Sequence, residues 1–349
     1  MLGMQDVGHR VVVRRIVGVS GGRPLYTDLL GVLAELTGTE LTVLTRHGPQ
    51  RVARADVHRG KRVPPSADPA VRAAARREAA AIDRLELVAD ETWPAPTRQR
   101  LGDWLLRAAD GWTGRANSAL PLGDPGRPLP AAVDAVHSWY TRLGLAPQVN
   151  VPLPAAADVA AELAGRGWRA RRLVLVQTAD LADLLQRATD QRSLPPVRLE
   201  PTPSPDWLAM VAAGKPVTAT TPEPGTPAGP SLPPAAYHVL TAVPQVRFAQ
   251  VYDGGDLIAV GRGCLSADGR WCGLSLVQVV PAARRRGLAI RLIAAVAGWA
   301  HREMGARHAF LQVEQHNPAT ALYTRLGFTT QHTYLPWQAV SDVPPGGAC

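Results

Sequence analysis

The chain has 349 residues, of which 46% are hydrophobic and 19% charged, with 32 Gly and 32 Pro. That length holds two or three domains, and that hydrophobic share excludes a wholly disordered chain. The net charge of +9 comes more from Arg than from Lys and suits an acidic small molecule, nucleic acid or an anionic surface without choosing among them.

From His9 to Val63 the pattern is short and strand-like: Arg10–Val17, Leu25–Leu36, Glu40–Thr45 and Gln50–Ala53, separated by Gly21-Gly22, Gly38 and Gly48-Pro49. This predicts a small SH3-like β-barrel over residues 1–65. The segment is basic, so it could dock an acidic partner or nucleic acid, but its few aromatic residues favour packing against the rest of the chain. Pro64-Pro65-Ser66 through Pro69 marks a boundary. The Ala/Arg-rich run Ala70–Leu85 then predicts a helical connector over 66–85.

Glu86 to Asp183 alternates strand and helix. Trp104–Arg107 and Arg115–Pro121 read as strands joined through Asp110-Gly111; Ala131–Leu143 and Ala155–Arg166 read as helices, Gln148–Pro152 and Arg169–Gln177 as strands. A second α/β domain is expected over 86–193. Leu194-Pro195-Pro196 opens a third over 194–340, with 341–349 as a tail.

In that last domain Val197–Glu200 is a strand and Asp206–Ala213 a helix, with Ser204 or Asp206 as N-cap. Thr220–Pro234 reads as a surface loop. Val246–Tyr252, Leu257–Ser266 and the run from Trp271 to Val280 make an antiparallel meander through Asp253-Gly254-Gly255-Asp256 and Ala267-Asp268-Gly269-Arg270. That meander would set Cys264 opposite Cys272. With Cys349 these are the chain's three cysteines, too few for a disulfide framework and without metal-ligand spacing, so both are expected as buried thiols and no metal is expected. Val277-Gln278-Val279-Val280-Pro281 then runs through Arg284-Arg285-Arg286-Gly287 into an apolar helix whose Leu288, Leu292, Val296 and Trp299 share one face. A strand, a tight basic turn and a helix N-terminus together offer unpaired amides and positive potential to a phosphate. His308–Val313 and Thr329–Leu335 follow as strands, with a short helix Pro318–Leu326 between them that Gly327 stops.

These residues resemble the GNAT superfamily of acetyl-CoA-dependent N-acetyltransferases. Arg284-Arg285-Arg286-Gly287-Leu288-Ala289 fits that family's Gln/Arg-x-x-Gly-x-Gly/Ala loop. Asn317-Pro318-Ala319-Thr320-Ala321-Leu322-Tyr323-Thr324-Arg325-Leu326-Gly327-Phe328 is similar to its Asn-x-x-Ala-x-x-Leu-Tyr-x-x-x-Gly-Phe segment. The resemblance implies an α+β fold with two GNAT-like domains of mixed sheet, of which only the last carries the motifs. It implies that Arg284, Arg285, Arg286, Gly287, Leu288, Ala289 and Ile290 surround the coenzyme A pyrophosphate. The main chain of Val277, Gln278 and Val279 would pair with the pantetheine arm, Asn317 would contact that arm, and Tyr323 would protonate the leaving thiolate. Some relatives carry a Glu where this chain has Gln312; Glu314, on the same strand face, is the candidate base in its stead.

The middle segment resembles a degenerate copy of the same fold, with Gly167-Trp168 in place of Gly327-Phe328 and Leu163 in place of Tyr323, so Tyr140 receives no catalytic role. The whole chain resembles actinobacterial tandem-GNAT proteins with an SH3-like leader. The expected activity is direct transfer of an acetyl group to a primary amine of a small molecule or a protein. A mycothiol-synthase-like tandem transferase and a non-catalytic acyl-CoA-binding or nucleic-acid-docking protein are the alternatives. Met1 to Val19 lacks an export-signal core and no apolar run reaches membrane-spanning length, so a soluble, cytoplasmic protein is expected.

Overall fold

The computed structural model describes residues 2–3, 6–45, 47–63, 69–188, 194–214 and 232–340. The N-terminal segment forms β1 (Arg10–Ser20), β2 (Arg23–Leu36), β3 (Glu40–Thr45), β4 (Gly48–Ala53) and β5 (Val57–Arg62), all antiparallel. Gly21 and Gly22 turn the long β1–β2 hairpin at φ values of 57° and 77°, which a two-residue hairpin turn requires and side chains resist. The expected closed barrel does not form. The strand order β4-β3-β2-β1-β5 leaves β4 and β5 as open edges.

The next helix, α1 (Pro69–Glu91), continues past the expected end at Leu85, and its last turns are core rather than connector. Ile82, Leu85, Glu86, Ala89 and Asp90 are all buried there. β6 (Thr97–Leu101) and β7 (Trp104–Ala108) form a hairpin around Gly102-Asp103. The expected pairing of Trp104–Arg107 with Arg115–Pro121 is reduced to one bridge, Leu105 with Leu120, and Arg115–Asn117 is a 3-10 turn. The Asn117 amide is the reason. It accepts from the Ala109 and Gly111 amides at 2.8 and 3.0 Å and donates to the Trp112 and Thr113 carbonyls at 2.9 Å each, taking bonds a strand would have used.

α2 (Leu129–Arg142), β8 (Gln148–Leu153) and α3 (Ala157–Gly165) follow as expected. The strand expected over Arg169–Gln177 is split into β9 (Arg169–Ala170) and β10 (Val174–Asp180), after which comes α4 (Leu181–Arg187). Val11, Val13, Leu33 and Val43 of the N-terminal sheet share one core with Trp104, Val136, Trp139 and Leu163. A Cβ on Gly8 would stand 2.5 Å from the Ala157 carbonyl oxygen, so the leader lies directly on α3.

The last segment supplies β11 (Val197–Glu200), α5 (Pro205–Gly214), α6 (Pro234–Thr241), β12 (Val246–Asp253), β13 (Asp256–Leu265) and β14 (Trp271–Val279). It continues with α7 (Leu288–Gly298), extended by a π-helical turn at Trp299–Glu303, then β15 (His308–Glu314), α8 (Thr320–Arg325) and β16 (Thr329–Gln338). The Ser204 hydroxyl caps α5 by accepting from the Trp207 amide at 3.1 Å. Most of the expected loop Thr220–Pro234, and the tail, lie outside the described residues.

One sheet runs through both α/β segments, in the order β11-β12-β13-β14-β15-β10-β16-β8 with β9 beside β16. β10 comes from the middle segment, yet it pairs antiparallel with β15 on one side and β16 on the other. On one face α4, α7 and α8 bury Leu184, Leu288, Leu292, Val296, Trp299 and Phe328. On the other, α1, α5 and α6 cover Val176, Phe310, Phe248 and Val260. Cys264 and Cys272 are buried free thiols, as expected, but the register sets Cys264 opposite Gly273 and Cys272 opposite Leu265, one residue from the expected facing pair.

Candidate active site

β14 and β15 are parallel neighbours for only three pairs, Trp271 with His308, Cys272 with Ala309, and Gly273 with Phe310. Beyond Gly273 the two strands separate, while β15 stays fully laddered to β10. The cause lies in β14. Its register with β13 slips between Val260–Gln278 and Arg262–Ser275, and Leu276 takes φ 55°, a bulge that bends the strand away. Val277, Gln278 and Val279 are therefore half-buried and laddered toward β13 alone, with their other edge facing a wedge. A Cβ on Gly214, at the end of α5, would meet the Gln278 side chain at 2.5 Å, so the small residue there leaves Gln278 its place.

The wedge leads to the basic turn. After a 3-10 turn at Pro281–Ala283, the Arg284 guanidinium donates from Nε to the Val279 carbonyl at 3.2 Å. Arg285 takes φ 65° and Gly287, the residue before α7, takes φ 90°. No side chain caps the helix. Exposed Arg284, Arg285 and Arg286 precede its first turn, whose amides lack intrahelical partners, while buried Leu288 anchors the turn and Ala289 and Ile290 are half-buried. Arg286 pairs with Asp253 at 3.1 Å; both are exposed, so the pair adds little stability.

α8 opens on an Asx turn. Asn317 Oδ1 accepts from the Ala319 amide at 2.9 Å, and the Thr320 hydroxyl donates to the Asn317 carbonyl at 2.9 Å. Tyr323 packs edge-on against Phe328, with ring centroids 5.9 Å apart. Its hydroxyl makes no hydrogen bond among the described residues, and burial raises its pKa, which keeps the phenol protonated.

On the opposite face of the sheet, under α1, stands a group of polar residues that sequence reasoning largely missed. Gln312 accepts from the Tyr334 hydroxyl at 3.3 Å. Burial pushes the Tyr334 pKa up to about 12; Arg115 opposes that shift, and the charges of Glu86 and Glu314 add to it. Glu314 is exposed and ion-paired with Arg172 at 3.1 Å. Glu86 is buried against His332 Nε2 at 2.7 Å. Asp90 is buried between Arg98 and Arg107. Glu86 and Asp90 sit i,i+4 on the buried stripe of α1, so acids falling at core positions of a helical period were the available signal. Tyr140 is fully buried and donates to the Arg107 carbonyl at 2.8 Å, a structural role. No metal-binding cluster occurs among the described residues, and none of their helices is long and apolar enough to cross a membrane.

A sheet split beside a basic turn and an uncapped helix thus sits within a mixed α/β fold. A GCN5-related N-acetyltransferase from Kribbella flavida superposes with a TM-score of 0.56 at 17% identity, over 76% of this chain and 96% of that one. The model of the family described as "Probable histone acetyltransferase Rv0428c C-terminal" matches residues 79–335. The chain belongs to that family and is a GNAT-type N-acetyltransferase. It is 31% identical over 271 residues to a "Probable histone acetyltransferase Rv0428c" of Mycobacterium tuberculosis, covering 75% of this chain and 76% of the relative. It is also 27% identical over 259 residues to an "Uncharacterized N-acetyltransferase YobR" of Bacillus subtilis, covering 72% and 97%.

Proposed function

We propose that the protein transfers an acetyl group from acetyl-CoA to a primary amine, of a small molecule or a protein, while both are bound. The observation that carries this reading is the one-sided pairing of β14 beyond Gly273, next to the uncapped start of α7. The open edge of Val277, Gln278 and Val279 suits a pantetheine arm bound as an added strand. The amides from Arg285 to Ile290, flanked by Arg284 and Arg286, suit a pyrophosphate. Asn317 would meet the arm from the α8 side through the amide nitrogen its turn leaves unused.

The bound thioester supplies an activated acyl carbon and a thiolate leaving group. Tyr323, half-buried and without a competing partner among the described residues, would hand its proton to that sulfur. An ordinary primary amine is protonated at neutral pH, its pKa lying near ~10.4, so a base must free it. Glu314 would accept that proton. It shares a strand face with Gln312, lies close enough to Tyr334 for its charge to act on the phenol, and is exposed enough to pass a proton to solvent. The mycobacterial relative is named a probable histone acetyltransferase, which keeps a protein among the possible acceptors.

Calorimetry with acetyl-CoA, followed by CoA release over an amine panel, tests the reading. Binding with amine-dependent release is expected; absence of both rejects it.

A further inference from the structure

Ser275 and Gln312 occupy corresponding positions across the mouth of the wedge, each two residues beyond the last β14–β15 pair, Gly273 with Phe310. Gln312 faces α1, since it meets Tyr334. Ser275 is the register partner of Arg262 on β13 and so shares a face with it. Arg262 reaches α1 by donating from Nη1 to the Thr92 carbonyl at 3.1 Å, so Ser275 and Gln312 open on the same side.

The donors gathered there exceed the acceptors. Arg262 is 1% exposed. Its Nε donates to the Leu240 carbonyl at 2.9 Å, and Nη1 to Thr92, so the carbonyl ends of α6 and α1 offset part of its charge. Its Nη2 is buried with no partner, and so is the Ser275 hydroxyl. Arg115 lies on the same indole as Arg262: their Cζ atoms are 4.8 and 5.3 Å from the Trp93 ring centroid. Arg115 is half-buried and has no ion pair or hydrogen bond from its side chain among the described residues, and Glu86, the acid whose charge it feels, is already bonded to His332. Burial draws its pKa below the ordinary guanidinium value, as expected for a charge held without a counter-ion. A fork of five donors without a carboxylate, beside two orphaned buried donors, is matched by a planar anion.

We propose that Arg115, with Arg262 Nη2 and the Ser275 hydroxyl, binds a carboxylate of the substrate at the α1-side mouth of the wedge. The inference rests on the acetyltransferase reading for where the reacting amine sits. Glu314 and Arg115 act on Tyr334 with opposite sign, so the cluster offers one anionic and one cationic group to a single small molecule. An amine that also carries a carboxylate fits that pair. The carboxylate could otherwise belong to the acyl group of the donor, and the chemistry at Arg115 would be the same.

Glutarate and its neutral isostere glutaramide, titrated by calorimetry into the full chain with and without CoA, test the site directly. Glutarate is expected to bind at least about tenfold more tightly than the diamide. Arg115→Met, which keeps the stem over Trp93, is expected to abolish the difference while leaving the CoA affinity and the melting temperature in place. Arg115→Lys is expected to retain part of it, and Ser275→Ala to reduce it. Equal behaviour of the two probes in the parent overturns the site, as does an undiminished difference in Arg115→Met. Failure of CoA to bind counts against the acetyltransferase reading instead, because the glutarate arm is also run without it. Lysine against cadaverine with acetyl-CoA, and glutaryl-CoA against acetyl-CoA with a neutral amine, then assign the carboxylate to acceptor or acyl group.

Discussion

Replacing Tyr323 by Phe removes one oxygen from a half-buried side chain whose hydroxyl has no bonding partner among the described residues. No protein hydrogen bond is lost and the edge contact with Phe328 is kept, so stability should change by no more than about 0.5 kcal/mol. The loss falls on proton delivery to the leaving sulfur, where a positioned acid contributes roughly a hundred- to ten-thousand-fold. Saturating acetyl-CoA and amine with a chromogenic thiol readout should show kcat reduced within that range and the acetyl-CoA affinity within twofold of the parent. The pH dependence follows from the raised pKa. Burial places the folded-state value above the unfolded ~10, so the phenol stays a donor throughout neutral pH, and its contribution to stability is lost only as pH climbs through about 10 and beyond. Any fall of kcat caused by Tyr323 must therefore lie on the alkaline side and vanish in the Phe variant. Glu314→Gln should instead reduce turnover without changing that alkaline behaviour. A Tyr323→Phe enzyme with kcat within twofold of the parent would refute the acid role.

Two glycines probe the scaffold. A Cβ on Gly263 would stand 2.0 Å from Val296 Cγ1, between β13 and α7, so Gly263→Ala should cost about 1–3 kcal/mol and lower the melting temperature by several degrees, read by calorimetric scanning. Gly287→Ala forces an L-residue into φ 90° at roughly 1–2 kcal/mol. If the turn relaxes, the amides of α7 are re-aimed, and acetyl-CoA affinity should fall about tenfold or more while glutarate binding at Arg115 persists.

The elements proposed to hold the cofactor were legible as a strand, a turn and a helix because their determinants are local. A strand run, a turn with one obligatory left-handed glycine and an apolar helix face lie within one stretch, and Asn317 to Phe328 completes it a few elements later. The polar cluster under α1 was not legible, because it is assembled from distant parts: Arg115 on a 3-10 turn, Glu86 on α1, Ser275 on β14 and Tyr334 on β16. α1 was read as a connector from its Ala/Arg composition, which masks the acids and apolar residues repeating on its last turns. β10 looks like any buried strand, since Val174, Leu175 and Val176 are apolar in a row, and nothing local tells such a strand to enter the sheet between β15 and β16. The open N-terminal sheet has the same cause, as closure depends on β4 meeting β5 rather than on either strand's own pattern.

Amide hydrogen exchange with and without acetyl-CoA tests the central claim most directly, because that claim concerns backbone groups. Added acetyl-CoA should slow exchange at Val277 to Val279 and at Arg285 to Ile290, with β12 and β13 unchanged. Unaltered exchange at both segments, or protection confined to another surface such as the cavity lined by Pro196, Arg198 and Tyr252, would contradict it.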